Sequence, residues 1–338
     1  MGKQRVVYFD VLNILAMLCV VFLHTNGMVH SFQNTMAWRQ ALVVEVVCYW
    51  AVPIFFMLSG ANLMNYRQRY TTAEFFKKRL IRILVPFVIW TFVYAILFKI
   101  NPLEIGFREF FNRCFNTQIM TNFWFFIPMF AVYFAMPVIS LLKDHRKILW
   151  YMVGLSFVLS AFMPQIFVYL KLTWNYSLAS VTCGGFLMYT ILGYLLATTE
   201  FTMPKRIIIY ALGLAAIALR YFVTLFLSVR DGAVSYLFFD YLQYHTVFLA
   251  VAVFVFFKNS KVVQKLSDKP KLTNLLKNVS GLSFGIYLVH QAVMFVLQNH
   301  IDPTTYTWRL AVPLLVYAIS AVIVFALKKI PILKYIVP

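Results

Sequence analysis

Hydrophobic residues in this chain come in long runs, without the strict alternation of a half-buried strand or the one-sided periodicity of a water-facing helix. Ten runs approach the roughly 20 apolar residues that a helix needs to cross a hydrocarbon core about 30 Å thick. They cover residues 8–28, 41–63, 83–100, 122–142, 148–168, 179–198, 205–228, 240–257, 281–299 and 309–327. The pattern predicts an all-α, polytopic membrane protein of about ten transmembrane helices, organised as one membrane domain over residues 1–338. An even number of spans puts both termini on the same side.

Polar residues punctuate some of these runs, and an ionisable group inside a bilayer costs several kcal/mol unless partnered, which makes it a functional candidate. The first run, YFDVLNILAMLCVVFLHTNG, carries Asp10 and Asn13 near its start and His24 near its end. The second carries Glu45, then Pro53, which predicts a kink, and ends in Ser59-Gly60-Ala61-Asn62. Residues 66–86 hold a basic, amphipathic segment capped by Thr72, which reads as a separate interfacial helix. Within it Arg79 and Arg82 are three apart, a spacing that places two guanidinium groups on one helix face to grip a phosphate. Residues 101–122 read as an outer loop, followed by Asn122-Phe123-Trp124-Phe125-Phe126, which suits an aromatic belt or, less simply, a wall for a sugar ring or acyl chain. Gly184-Gly185 and Gly193 suit close helix approach. Arg220 falls in the outer half of its span, where snorkelling and a buried role are both open, and the ninth span contains Tyr287 and His290.

Composition agrees with the pattern: 62% of the 338 residues are hydrophobic and 12% charged, too apolar for one water-soluble core. The net charge of +19 would suggest nucleic acid as a partner in a soluble chain, but its placement argues otherwise. With the N-terminus taken as cytoplasmic, the inner segments hold 22 of the 30 Lys and Arg, from Lys3 and Arg5 to Lys328, Lys329 and Lys334. This asymmetry sets both termini inside and makes membrane lipid the partner of the basic charge. The four cysteines show neither a disulfide framework nor zinc-ligand spacing, and no metal site is expected. The first run lacks a cleavage signature after His24 and reads as a retained span.

Depth along the helices divides the polar groups into two layers. His24 lies sixteen residues beyond Tyr8, about 24 Å at 1.5 Å per residue, in the outer layer with Glu45, Arg220 and His245. Asp10, Arg79 and Arg82 form the inner one, with Asp10 expected to partner Arg79 or Arg82. Histidine beside a carboxylate suits general-base catalysis, with Glu45 orienting His24. Paired arginines suit a phosphate-bearing ligand.

Four stretches give the chain a resemblance to the acyltransferase-3 family of membrane-bound acyltransferases: Tyr8-Phe9-Asp10-Val11-Leu12 with His24; residues 52–60, VPIFFMLSG; residues 76–86, FKKRLIRILVP; and residues 283–290, SFGIYLVH. The resemblance implies O-acyl transfer from cytosolic acyl-CoA, typically acetyl-CoA, to a cell-envelope glycan or lipid-linked sugar at a bacterial cytoplasmic membrane. It implies His24 as the essential histidine and Arg79 and Arg82 as the acyl-CoA arginines, with Asp10 and Asn13 beside them. Ser59, Trp124, Arg220, Tyr287 and His290 are candidates for the substrate pocket. One departure stands out: the family has arginine eleven residues before its histidine, where this chain has Asn13, so either another cation takes its place or the donor is bound differently here. Serine-transporting relatives keep a transporter or exporter open, with His24, Glu45, Arg220 and His290 lining its path. Against it, no pair of broken helices in matching halves is visible in the sequence.

Overall fold

The computed structural model describes residues 5–180 and 182–338; Lys3, counted above with the inner charges, and Val181, in the sixth expected span, lie outside them. The described residues are helical without strands, with 77% of the chain in helix. In chain order the helices are α1 (Val7–Thr25), α2 (Met36–Cys48), α3 (Ala51–Leu63), α4 (Thr72–Arg79), α5 (Val85–Leu97), α6 (Pro102–Ile105), α7 (Phe107–Phe115), α8 (Phe126–Ile139) and α9 (Arg146–Ser156). There follow α10 (Met163–Tyr169), α11 (Leu187–Thr198), α12 (Met203–Asp231), α13 (Tyr244–Asn259), α14 (Lys261–Leu266), α15 (Pro270–Ser280), α16 (Ser283–Leu297), α17 (Tyr306–Leu310) and α18 (Val312–Lys329). Among the described residues, seven helical runs are long and apolar enough to cross a membrane, and the pair α15–α16, bent by 51°, makes an eighth. The sixth and eighth expected spans are apolar but shorter, with 12 residues in α11 and 16 in α13. The chain reaches α11 through Gly185, whose φ of +61° is left-handed, so the helix begins well after residue 179.

Prolines explain where the long helices change geometry. The second span breaks at Tyr49–Trp50, between α2 and α3, because Pro53 cannot donate and its ring crowds the carbonyl four residues back. The interruption is a two-residue turn within one continuous run from Met36 to Gln68, as expected of a proline kink. The segment over residues 66–86 is not a separate interfacial helix: α4 runs into α5 through a π-helical stretch, Leu80–Leu84, just ahead of Pro86. A second π-helical stretch, Phe157–Phe162, precedes Pro164 in the same way. At its start α4 is held by a reciprocal cap, in which Thr71 Oγ1 accepts from Glu74 N–H and the Glu74 carboxylate accepts from Thr71 N–H.

The loop over residues 101–122 contains structure that the long hydrophobic runs did not announce. In α7, Phe107, Phe111 and Phe115 recur every fourth residue and stand exposed on one face, while Phe110 is buried. The i, i+4, i+8 spacing was the available signal.

Small residues set the tightest contact. A Cβ at Gly60 of α3 would fall 1.7 Å from the Thr190 carbonyl oxygen, and one at Gly193 of α11 would fall 2.1 Å from that of Met57. The two helices thus meet backbone to backbone, and α3 is clamped beside α1. Gly193→Ala is expected to destabilise the protein by about 1–3 kcal/mol, since backbone cannot yield as a side chain does. Gly154→Ala, where a Cβ meets nothing within 4 Å, is the control. Thermal melts of the two variants in detergent check this, and equal melting temperatures would contradict the clamp.

Candidate functional site

A cavity of about 600 Å³ runs beside α1. Asp10, Asn13, Met17, Val20 and His24 all line it, and their spacing of three and four residues makes them one stripe on the helix. From Asp10 to His24 is fourteen residues, about 21 Å of helix. At one end the lining includes Arg5, Asp10, Asn62, Arg69, Arg79 and Ser280; at the other, His24, Asn122, Trp124, Tyr241 and Tyr287.

The charged end differs from expectation in two ways. Asp10, buried at 4% exposure, is paired with neither Arg79 nor Arg82. Its carboxylate accepts two bonds of 2.6 Å from Arg5, whose chain enters α1 from an extended N-cap and folds back within one turn. The carboxylate in turn raises the Arg5 guanidinium above its ordinary pKa. Asn13 has no cation bonded to it: its amide donates to the Ser280 carbonyl at 2.9 Å and to the Ser280 hydroxyl at 3.0 Å. The guanidinium groups of Arg5, Arg69 and Arg79 line the same cavity instead.

Arg79 and Arg82 do not share a face. The wider π-helical turn that begins at Leu80 carries Arg82 to the exposed side, outside the cavity lining, while Arg79 remains in it. Many cations at this end are occupied in capping helix carbonyls: Arg67 donates to Pro137, Lys258 to Leu196 and Thr199, and Lys328 to Gly281. Arg79 instead lies 5.5 Å from the ring centres of both Phe75 and Tyr133, and its Nε is buried with no partner among the described residues. It is a cation held in place by aromatic rings with hydrogen-bonding capacity to spare.

At the other end His24 stands against a second histidine. His24 Nδ1 lies 2.7 Å from His290 Nε2, with the rings within 13° of parallel. His290 Nδ1 lies 2.7 Å from the Tyr287 carbonyl and 3.1 Å from that of Ile286. Carbonyls only accept, so in a neutral pair His290 carries its proton on Nδ1 and accepts at Nε2, where Gln291 also donates from 3.2 Å. His24 must then donate from Nδ1, which leaves its lone pair on Nε2. His24 lines the cavity and His290 stands behind it. His24 also occupies the last turn of α1, where the carbonyl end of the helix favours positive charge.

Glu45 does not orient His24. Its Oε1 lies 3.3 Å from Arg220 Nη2, and its carbonyl accepts from Arg220 Nη1 at 3.2 Å. Arg220 does not snorkel: at 1% exposure it is buried, on an inward stripe of α12 formed by Gly213, Ala216, Arg220, Thr224 and Ser228. That stripe of small and polar residues was the sequence signal for it. Neither Glu45 nor Arg220 nor His245 lines the cavity. Ser59 does, with its hydroxyl 3.9 Å from Met129 Sδ, and so do Trp124 and Tyr287, whose hydroxyl donates to the Asn122 carbonyl. Among the described residues no hydroxyl or thiol is bonded to His24, and no three His, Cys, Asp or Glu are grouped to hold a metal ion. Sequence reasoning missed Arg5 and Arg69, which read as topology charges, and Ser280, which lies 267 residues from Asn13.

A comparison with known families matches the acyltransferase-3 profile, described as an acyltransferase domain, to residues 6–328, nearly the whole chain. No curated protein and no solved structure matches it. Removing one partner of a buried ion pair costs about 3–5 kcal/mol, and replacing both by apolar groups of similar size costs far less. Glu45→Ala is therefore expected to lower the melting temperature sharply, with Glu45→Leu/Arg220→Met recovering most of it. A melt of Glu45→Ala like that of the parent protein would show that the pair is not the buried anchor its geometry describes.

Proposed function

The chain belongs to the acyltransferase-3 family of membrane acyltransferases, and from that premise we propose that it moves an acyl group, acetyl in the simplest case, from cytosolic acyl-CoA to a hydroxyl of a cell-envelope or lipid-linked sugar. The setting proposed is a bacterial cytoplasmic membrane, with the Arg79 end of the cavity at the cytoplasmic face. The observation that carries the reading is that one cavity is lined both by Arg79, whose Nε has no partner among the described residues, and by His24, whose Nε2 is left open.

In this reading the phosphates of CoA lie against Arg79 and Arg69, and Arg5 takes the part of the cation that Asn13 cannot supply. The pantetheine arm follows the α1 stripe past Asn13, Met17 and Val20. His24 Nε2 accepts the proton of the acceptor hydroxyl as its oxygen attacks the thioester carbonyl. Collapse of the tetrahedral intermediate breaks the C–S bond, and the departing thiolate takes the proton from His24. Atoms and charge balance without an acyl-enzyme, which is consistent with the lack of a nucleophile bonded to His24. His290 fixes the tautomer and shares the charge that forms on the ring.

Two outcomes follow. His24→Ala is expected to lower kcat for acetyl transfer by about 10²–10⁴-fold, the range for a lost general base, and His290→Ala by less, with little change in KM for acetyl-CoA. Full activity in purified His24→Ala would sink the mechanism. Arg79→Ala is expected to raise KM for acetyl-CoA by about 10–100-fold, since a charged hydrogen bond contributes roughly 1.5–3 kcal/mol. Arg82→Ala, on the exposed side, is expected to change it little. Titration of both variants with acetyl-CoA by thermal shift separates them, and equal losses would return Arg82 to the site.

A further inference from the structure

The far end of the cavity is backed by a stack of rings that the transfer mechanism does not use. Trp124 lies 5.6 Å from Tyr241 with planes 19° apart, and Tyr241 lies 4.2 Å from Tyr49 with planes 13° apart. The Arg220 guanidinium carbon sits 3.5 Å from the centre of the Tyr49 ring. It must occupy the face opposite Tyr241, since both are too close to share one. Glu45 then holds Arg220. The column therefore begins at two residues that line the cavity and ends in a buried ion pair that does not.

A buried charge pair carries a desolvation cost that only well-placed contacts offset, and here those contacts fix the Arg220 guanidinium against the Tyr49 ring. Around this aromatic wall the polar groups are free: among the described residues the Trp124 indole N–H, the Tyr241 hydroxyl and the Asn122 amide have no hydrogen-bond partner, although all three residues line the cavity. A fatty acyl chain would leave these groups unmet. A pyranose ring offers C–H faces to the rings and hydroxyls to the donors and acceptors at their edges. The wall is also in register with the base. The Asn122 carbonyl accepts from Tyr287 Oη, the Tyr287 carbonyl from His290 Nδ1, and His290 Nε2 from His24 Nδ1.

We propose that Trp124 and Tyr241 form the seat of the acceptor's pyranose ring, and that Arg220 and Glu45 are positioning residues that hold this seat through Tyr49. The inference rests on the acyl-transfer reading above, and its test separates the two. Purified protein in lipid nanodiscs is presented with methyl glucoside, and saturation transfer to the ring protons is measured by NMR. The same samples are titrated with acetyl-CoA by thermal shift. Wild type is expected to saturate the glucoside ring. Trp124→Leu is expected to weaken that binding about tenfold, the loss of a stacking contact, while keeping the acetyl-CoA shift.

Arg220→Met is expected to weaken glucoside binding as well, with Arg220→Lys partly restoring it. Should Arg220→Met not fold, Tyr49→Leu removes the middle of the column without unpairing the charges and is expected to do the same. Equal saturation in wild type and Trp124→Leu overturns the seat, as does none in wild type whose acetyl-CoA shift is intact. Unchanged saturation in Tyr49→Leu overturns the positioning role. A wild type that binds the glucoside but gives no acetyl-CoA shift overturns the donor reading and leaves the seat standing.

Discussion

The structure depends on satisfying the polar stripe of α1 in a medium that offers no water. Asp10, Asn13 and His24 on that stripe each take a partner from the protein, and each partner fixes a neighbouring segment. Asp10 fixes the entering N-terminal residues through Arg5, Asn13 ties α1 to the last residue of α15, and His24 is bonded to α16. The bend between α15 and α16 lets one chain segment serve two depths of α1. Between these ties and the α3–α11 clamp on the other flank, the cavity is the space that packing leaves open.

The same constraint accounts for a histidine behind a histidine where a carboxylate is the commoner partner. A neutral imidazole held by a backbone carbonyl fixes the tautomer of His24 without placing a second charge in the bilayer. The carboxylate of that layer, Glu45, is placed against Arg220 instead, where charge meets charge and an aromatic face spreads what remains. This end of the protein thus contains two separate polar systems, one bordering the cavity and one packed against Tyr49.

Much was legible in the residues themselves. The apolar runs located the helices, the intramembrane polar groups picked out His24 and Asp10, and the four stretches of resemblance led to the family. The stripe Asp10, Asn13 and His24 was also readable, because intervals of three and four on a helix define a face whatever surrounds it. What misled was inference from spacing across a disturbed helix. Arg79 and Arg82 share a face only if the turns between them are α-helical, and Pro86 makes them π-helical. Depth alone paired Glu45 with His24, whereas azimuth separates them.

The sequence by itself determined the class, the order of the apolar helices and the polar face of α1, because these follow from local hydrophobicity and helical period, whereas seven or eight of the ten expected spans are long enough to cross a membrane. Only the tertiary structure decided who partners whom: Arg5 with Asp10, Ser280 with Asn13, His290 with His24, Arg220 with Glu45. Three of these four pairs join residues more than 170 positions apart. A hydrogen bond is specified by distances of about 3 Å and by direction, and no periodicity in a one-dimensional pattern carries that information across separate helices.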